Sequence, residues 1–375
     1  MTLATVTPEN LQKGAQNLLL GCVGLAPGEQ VLLVREDPGP GYYDAAAGDA
    51  VEAEARRLGA QVHSLWTAAP LDGPESFPKV VAAAMQEVDH TIFFSRIGDQ
   101  VRFASLPGHG TCTMTYALDA GYLASDFCTL PHALMQAVLS RFEAELDRAQ
   151  AFRITCPLGT DVTGSLAPPA AAESGTAEEK TDFTLKLFPL AIFRPISCTD
   201  MSGRVMLANW LMATGNQSYE PQILDLDTPV AAVIEQGRIV DFEGEAALCA
   251  KVRGHYARVA GLFGIDSRVV HSWHVGIHPK TYYEGTAQDN VDRWGNVMFA
   301  SPRYLHFHTC GDYAPGEICW NVLDPTIAID GVKLWDRGRL RPENFPQTKT
   351  CLDTWPELEV LFAQPSDAIG LPNEP

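Results

Sequence analysis

Features that would mark a membrane or secreted protein are missing from this 375-residue sequence. No apolar run approaches the roughly 20 residues needed to span a bilayer. The first ten residues, MTLATVTPEN, lack the basic region and apolar stretch of a signal peptide. The nine cysteines form no CxxC pair, which favours free thiols over disulfides or a structural zinc site. We therefore expect a cytoplasmic protein with no membrane partner.

Positive charge is also scarce. Lys and Arg number 27 against 46 Asp and Glu, so that the formal net charge is -19. Nucleic acids and anionic membrane surfaces are bound through positive charge, and neither is expected as a partner. Hydrophobic residues make up 46% of the chain, enough for buried cores, and the length favours two domains. We expect a small-molecule ligand and a homo-oligomer.

The first 150 residues alternate strand-like and helix-like runs. QVLLVRED, QVHSLW and HTIFFS have the apolar character of buried strands, and the Ala-rich segment DAAAGDAVEAEARRLGA is helical in pattern. Such alternation predicts parallel β-α-β units, and hence a Rossmann-like α/β domain over residues 1–150. A dinucleotide fingerprint is absent, because REDPGPGYYD and not GxGxxG follows the first strand.

The pattern changes after residue 150. PVAAVIEQGRIVDFEG and TIAIDGVKLWDRGRL are hairpin signals, with Gln236-Gly237 and Asp330-Gly331 at their turns. Residues 166–182 are low in complexity and are expected to form a surface loop. Residues 151–375 are thus predicted to form a second, largely antiparallel α+β domain, which carries the catalytic site.

Five of the ten histidines lie in two short segments of this second domain. VVHSWHVGIHP contains His271, His274 and His278, and YLHFHTCGDYAPGEICW contains His306 and His308. Because alternate residues of a strand share a face, His274 and His278 should point one way and His271 the other. By the same rule His306 and His308 should share a face and converge on one site.

Acidic and aromatic side chains accompany these histidines. Two imidazoles and one carboxylate, with Glu317 as the carboxylate, would suit Fe(II), Mn(II) or catalytic zinc. Trp273 and Tyr304 could form the walls of a pocket for a flat ring. Arg293 and Arg303 could bind a substrate carboxylate or phenolate through paired hydrogen bonds. The alternative is that the histidines are ordinary strand residues, that the aromatic residues pack in the hydrophobic core, and that the arginines lie on the surface.

The order of motifs along the chain resembles the aminopeptidase T superfamily, and within it the 2,5-dihydroxypyridine 5,6-dioxygenase branch. The motifs are FRITCPLGTD, LFPLAIFRP, VIEQGRIVDFEG, HVGIHP and GEICWNVLDPTIAIDG. The resemblance implies that His274, which opens a His-Val-Gly segment, is a metal ligand. The expected Gly-His-x-Asp is replaced by Gly316-Glu317-Ile318-Cys319. Ile192 occupies the region where the peptidase branch has a glutamate.

This resemblance implies an enzyme that opens a hydroxylated aromatic or N-heterocyclic ring with O2 at Fe(II). The metal would be held by His274, one or both of His306 and His308, and Glu317, while His271 or His278 would transfer protons. One alternative is a hydrolase of small amides or lactones, in which the histidines and Glu317 activate water with zinc, with manganese or without metal. A further alternative is a small-molecule binding protein without catalysis.

Overall fold

The computed structural model describes residues 6–69, 77–101, 110–166, 184–189, 192, 194–213, 219–312 and 315–371. It divides into two compact units, Met1–Gln136 with Ala171–Ala191, and Ala137–Ala170 with Ile192–Pro375. The sequence had placed the change of domain at residue 150. Most of the low-complexity segment 166–182 lies outside the described residues. Among the described helices, none combines the length and apolar character needed to cross a membrane.

The first unit contains a five-stranded parallel sheet, as its alternating sequence pattern predicts. Its strands are β1 (Gln30–Glu36), β2 (Gln61–Thr67), β3 (His90–Phe94), β4 (Thr111–Thr115) and β7 (Thr184–Phe188). Their order in the sheet is β2-β1-β3-β4-β7. Strands β1 and β3 are buried almost throughout, which fits a sheet that is covered on both faces.

Short helices connect and flank these strands. They are α1 (Pro8–Gln16), which continues as a π-helical segment (Asn17–Val23), α2 (Ala45–Arg57), α3 (Lys79–Ala84), α4 (Ile97–Val101), α5 (Ala120–Ala124), α6 (Asp126–Thr129) and α7 (His132–Arg148). The Thr7 hydroxyl accepts a hydrogen bond from the Asn10 amide at 3.2 Å and so caps α1. Helix α7 spans the division between the two units.

Strand β7 belongs to the first sheet, although it lies after residue 150, where the sequence predicted the domain boundary. The sequence assigned all residues after 150 to the second domain, yet β7 pairs in parallel with β4, and Thr111 lies opposite Thr184. Strand pairing between segments far apart in the chain leaves no local sequence signal, since any apolar strand of suitable length can fill an edge.

The second unit is built on a large, mainly antiparallel sheet, as predicted. Its strands are β5 (Ala151–Thr155), β6 (Asp161–Ser165), β8 (Ile196–Ser197), β9 (Ser202–Met212), β10 (Ile223–Glu235), β11 (Arg238–Glu243), β12 (Val270–Val275), β13 (Tyr304–Cys310), β14 (Glu317–Leu323), β15 (Thr326–Ile329), β16 (Val332–Asp336) and β17 (Arg339–Leu340). The main path of the sheet is β17-β16-β15-β5-β6-β9-β14-β13-β12-β8, and β10 pairs with β9 and β11.

Both predicted hairpins are present in this sheet. Gln236 and Gly237 have φ of 48° and 69°, and Asp330 and Gly331 have φ of 46° and 83°, the left-handed values that a two-residue hairpin turn requires. The helices of the unit are α8 (Ala246–Phe263), α9 (Val291–Met298), α10 (Pro346–Thr354) and α11 (Glu357–Ala363), with a 3₁₀ turn at Pro342–Asn344. All nine cysteines are free, in agreement with the sequence.

Candidate metal centre

Three neighbouring strands, β12, β13 and β14, carry Glu317 and four of the five histidines, namely His271, His274, His306 and His308. In the antiparallel ladder His274 on β12 lies opposite His306 on β13. His308 is two residues further along β13 and therefore points to the same face as His306. The predicted convergence of the two histidine segments thus follows from strand register, which pairs β12 with β13 directly.

His274, His306 and His308 form a compact group on this face. One ligand nitrogen from each imidazole lies within 4.8 Å of the other two, and all three side chains are buried. The ring centroids of His274 and His308 are 4.6 Å apart, and those of His306 and His308 are 5.0 Å apart. Three buried imidazoles this close together have the donor set and the spacing of a transition-metal site.

His308 is oriented by two acceptors at its Nδ1 atom. This nitrogen donates a hydrogen bond to the Asp312 carbonyl oxygen at 2.9 Å and also contacts the carboxylate of Glu317. Because both neighbours are acceptors, Nδ1 carries the proton, and Nε2 is left as the nitrogen that can bind a metal. Burial lowers the pKa of His308, but Glu317 and the Asp312 carbonyl more than offset it, so that the pKa lies above its usual value.

His306 is in a different environment. Burial, together with the neighbouring His274 and His308, holds the pKa of His306 well below its usual value, so this imidazole is neutral. Its Nδ1 atom is buried and has no hydrogen-bond partner among the described residues. A buried polar atom without a partner costs about 1–3 kcal/mol. A neutral imidazole with an unpaired nitrogen beside two others is what a metal ligand requires, so the donor set fits a metal ion.

Glu317 is placed differently from its predicted role as a metal ligand. It lies opposite Cys310 in the β13–β14 ladder, while His308 lies opposite Cys319. Glu317 is therefore a diagonal neighbour of His308, on the side away from His306. Its buried carboxylate contacts His308 and is not a member of the three-imidazole group. In this register Glu317 is placed to orient His308 and not to bind the metal itself.

The two other predicted histidines are outside the group. His271 Nε2 is 2.9 Å from the Cys310 carbonyl oxygen and therefore donates to it, which fixes the proton on that nitrogen. His278 follows β12 and is buried, and its Nδ1 accepts a hydrogen bond from the Lys280 amide at 3.2 Å. Because Nδ1 accepts this hydrogen bond, the proton of the His278 ring is on Nε2.

Tyr304 lies on the same strand face as His306 and His308. Its hydroxyl donates to the Asn321 side-chain oxygen, and Asn321 lies opposite His306 on β14. The Asn321 amide nitrogen in turn donates to the Trp210 carbonyl at 2.7 Å. Burial raises the pKa of Tyr304 well above its usual value, so that the phenol is neutral. Sequence reasoning missed Asn321, because no local motif marks it and only the strand register brings it beside His306.

Trp273 and Arg303 are not placed as the pocket residues that the sequence predicted. Trp273 precedes His274 in β12 and so faces the other side of the sheet, where its ring packs edge-on against Phe152 at 5.5 Å. The Arg303 guanidinium forms a buried, two-pronged ion pair with Asp324, at 2.6 Å and 2.9 Å. Binding a substrate carboxylate through Arg303 would require breaking this pair.

Arg293 lies in the first turn of helix α9, and Phe299 directly follows the helix. The Arg293 guanidinium carbon lies 5.7 Å from the ring centroid of Tyr283. Phe299 follows the last residue of α9, is partly exposed, and stacks on His306 with a centroid distance of 4.2 Å and an interplanar angle of 20°. No sequence motif distinguishes Phe299 from the many aromatic residues nearby.

Comparisons with known proteins agree with the fold that the sequence resemblance implied. No protein-family model matches the sequence, and no curated protein sequence matches it. Among solved structures, 2,5-dihydroxypyridine dioxygenase from Pseudomonas putida KT2440 superposes with a TM-score of 0.58 at 15% identity, covering 89% of this chain and 98% of that one. AmpT from Thermus thermophilus gives a TM-score of 0.46 at 14% identity, covering 88% of this chain and 99% of that one. The chain therefore shares the fold of the dioxygenase.

Proposed function

We propose that this chain is a metal-dependent enzyme that opens a small hydroxylated aromatic or N-heterocyclic ring with O2. The observation that carries the proposal is the group of three buried imidazoles, His274, His306 and His308, on the fold of a dihydroxypyridine dioxygenase. The fold by itself does not define a reaction, so the donor set and its surroundings have to supply the chemical argument.

In this proposal His274, His306 and His308 would hold Fe(II). When bound, Fe(II) supplies the one-electron chemistry that a reaction between an aromatic ring and O2 requires. The ring carbon–carbon bond breaks, and both atoms of O2 enter the opened product. Glu317 orients His308 through its Nδ1 atom and does not itself bind the metal.

The surroundings of the histidines suit a flat substrate. Phe299 is partly exposed beside His306, and Tyr304 is nearly parallel to Phe299 at a centroid distance of 5.8 Å. Aromatic side chains next to a polar centre favour a planar ring over an extended chain. His278, with its proton on Nε2, is our candidate for donating a hydrogen bond to a substrate oxygen, and Arg293 is our candidate for binding a substrate anion.

One observation favours a second reaction. All three members of the group are imidazoles, and a three-histidine set also holds zinc in enzymes that activate water. We therefore keep a hydrolase of a small amide or lactone, with zinc or manganese, as the alternative. In that case the oxygen that enters the product comes from water, and no O2 is consumed.

The experiment is metal analysis followed by an oxygen measurement. Protein purified without chelator or affinity-tag metal is analysed for iron, zinc and manganese, and is then supplied with 2,5-dihydroxypyridine in an O2-electrode cell. About one iron per chain and O2 uptake in step with loss of the ring absorbance would support the dioxygenase. Zinc with anaerobic hydrolysis of an amide or lactone panel would support the alternative, and protein that binds no added metal would refute both.

A further inference from the structure

The Phe299 ring is the feature of this site that neither the sequence motifs nor the fold comparison assigns. It stacks face to face on His306, the group member with an unpaired, buried Nδ1. Resting on the metal centre proposed above, we propose that Phe299 is a positioning residue: it fixes the ring angle of His306 by stacking, in place of the hydrogen bond that usually orients a metal-binding histidine.

His306 needs such a contact because of how imidazoles rotate. The χ2 torsion of histidine is broad, so the ring angle is set by its neighbours and not by the torsion itself. His308 is fixed at Nδ1 by Asp312 and Glu317. No hydrogen bond joins either ring nitrogen of His306 to another described residue, so whichever nitrogen binds the metal, the other has no partner that holds the ring.

The backbone around Phe299 is held in place independently of its ring. The His278 amide donates to the Ala300 carbonyl at 2.8 Å, which ties the end of α9 to the segment that follows β12. Gly276 makes this approach possible. A Cβ at Gly276 would lie 2.0 Å from the Ala300 carbonyl carbon and 2.5 Å from the Phe299 carbonyl oxygen. The backbone at Phe299 is therefore attached to the segment that directly follows the strand carrying His274.

The stack has one consequence for metal binding. With the ring removed, His306 can rotate away from the angle at which its nitrogen faces His274 and His308. Loss of an orienting partner of a metal ligand typically weakens metal affinity 10–100-fold. Since stacking is less directional than a hydrogen bond, we expect a loss of about tenfold, at the lower end of that range.

The test measures Co(II) binding to the metal-free full chain, by chelator competition and by the visible absorption of the bound ion. Phe299→Leu should bind Co(II) about tenfold more weakly and with an altered visible spectrum, while Phe299→Tyr, which keeps the ring, should restore both. Phe345→Leu is the matched control, because Phe345 lies at the start of α10, outside the ring stack, and should leave Co(II) binding unchanged. If Phe299→Leu proves unstable, Phe299→Met keeps the apolar volume without a ring.

The outcomes separate this inference from the proposed function. Wild-type affinity and spectrum in Phe299→Leu or Phe299→Met would overturn the positioning role and leave the metal centre intact. Equal weakening in Phe299→Tyr and Phe299→Leu would also overturn it, since the ring would then not be what matters. A wild-type chain that binds no Co(II) would overturn the metal centre itself, and this inference with it.

Discussion

Glu317 contacts Nδ1 of His308 across one strand pair, from a position in the β13–β14 ladder that lies on the side away from His306. The carboxylate and the Asp312 carbonyl together fix the proton on Nδ1 and direct Nε2 toward the other two histidines. An imidazole held in this way is a better metal ligand than a free one, because its tautomer and its ring orientation are already those of the bound state.

The first prediction concerns this contact. Glu317→Gln keeps an acceptor oxygen but removes the negative charge, so metal affinity should fall about tenfold, and Glu317→Ala should lower it up to about a hundredfold. Chelator competition with Zn(II) measures both. Glu343→Gln is the control, since that side chain is 47% exposed and, among the described residues, forms an ion pair with Arg341 alone. Unchanged affinity in Glu317→Ala would contradict the orienting role.

The second prediction separates the histidines inside the group from those outside it. Alanine at His274 should reduce bound metal from about one ion per chain to nearly none, because it removes one of three ligands. His271→Ala should retain the metal, since His271 donates to the Cys310 carbonyl and is not a group member. Elemental analysis of both purified variants gives the answer. Equal metal content in the two would show that the group is not the metal site.

The third prediction concerns the ion pair between Arg303 and Asp324, whose side chains are 10% and 9% exposed. Arg303→Met leaves a buried carboxylate uncompensated and should cost about 3–5 kcal/mol of unfolding free energy. The double variant Arg303→Met with Asp324→Leu should recover much of that loss. Urea unfolding measures the difference, and Arg153→Ala, which breaks an exposed pair with Asp161, should cost under about 1 kcal/mol. If Arg303→Met lowered the free energy of unfolding only slightly, Arg303 would instead be a solvated side chain that is available to bind substrate.

The fourth prediction concerns acid stability of the first unit. Burial, and to a lesser degree Lys186, lowers the pKa of His132 to about 4 from the ordinary value of 6.5. The unfolded chain therefore takes up this proton at a higher pH than the folded chain does. The contribution of His132 to the free energy of unfolding is therefore fully present above pH 6.5 and is lost as the pH falls toward 4. Between pH 7 and pH 5 the loss should be about 2 kcal/mol.

The measurement is the urea midpoint as a function of pH. Other groups titrate over the same range, so the comparison with a variant carries the test. His132→Gln cannot take up the proton, and its unfolding free energy should change less between pH 7 and pH 5 than that of the wild type. Parallel pH curves for the two proteins would show that His132 is not buried in its neutral form.

The sequence predicted those features that depend on local patterns. Periodicity indicated the parallel strands of the first unit. Gln236-Gly237 and Asp330-Gly331 marked the two hairpin turns of the second unit, because few residues tolerate the required φ values. Strand alternation correctly put His306 and His308 on one face.

Features that depend on register between distant segments were not predictable in the same way. Glu317 was expected to bind metal because it is a carboxylate near histidines in the sequence. Only its position opposite Cys310 shows that it reaches His308 and stops short of His306. The membership of β7 in the first sheet and the stacking of Phe299 on His306 likewise arise from tertiary contacts that no short motif records.

The pairing of β7 with β4 affects how the first unit folds during synthesis and which fragments of the chain can be expressed alone. During synthesis the outer edge of β4 has no partner until the ribosome has added the residues up to Phe188, after the first two strands of the second unit. An unpaired strand edge is open to association with other chains. Expression of residues 1–150 alone should therefore yield an aggregating fragment, and a separable first unit would have to include Ala171–Ala191.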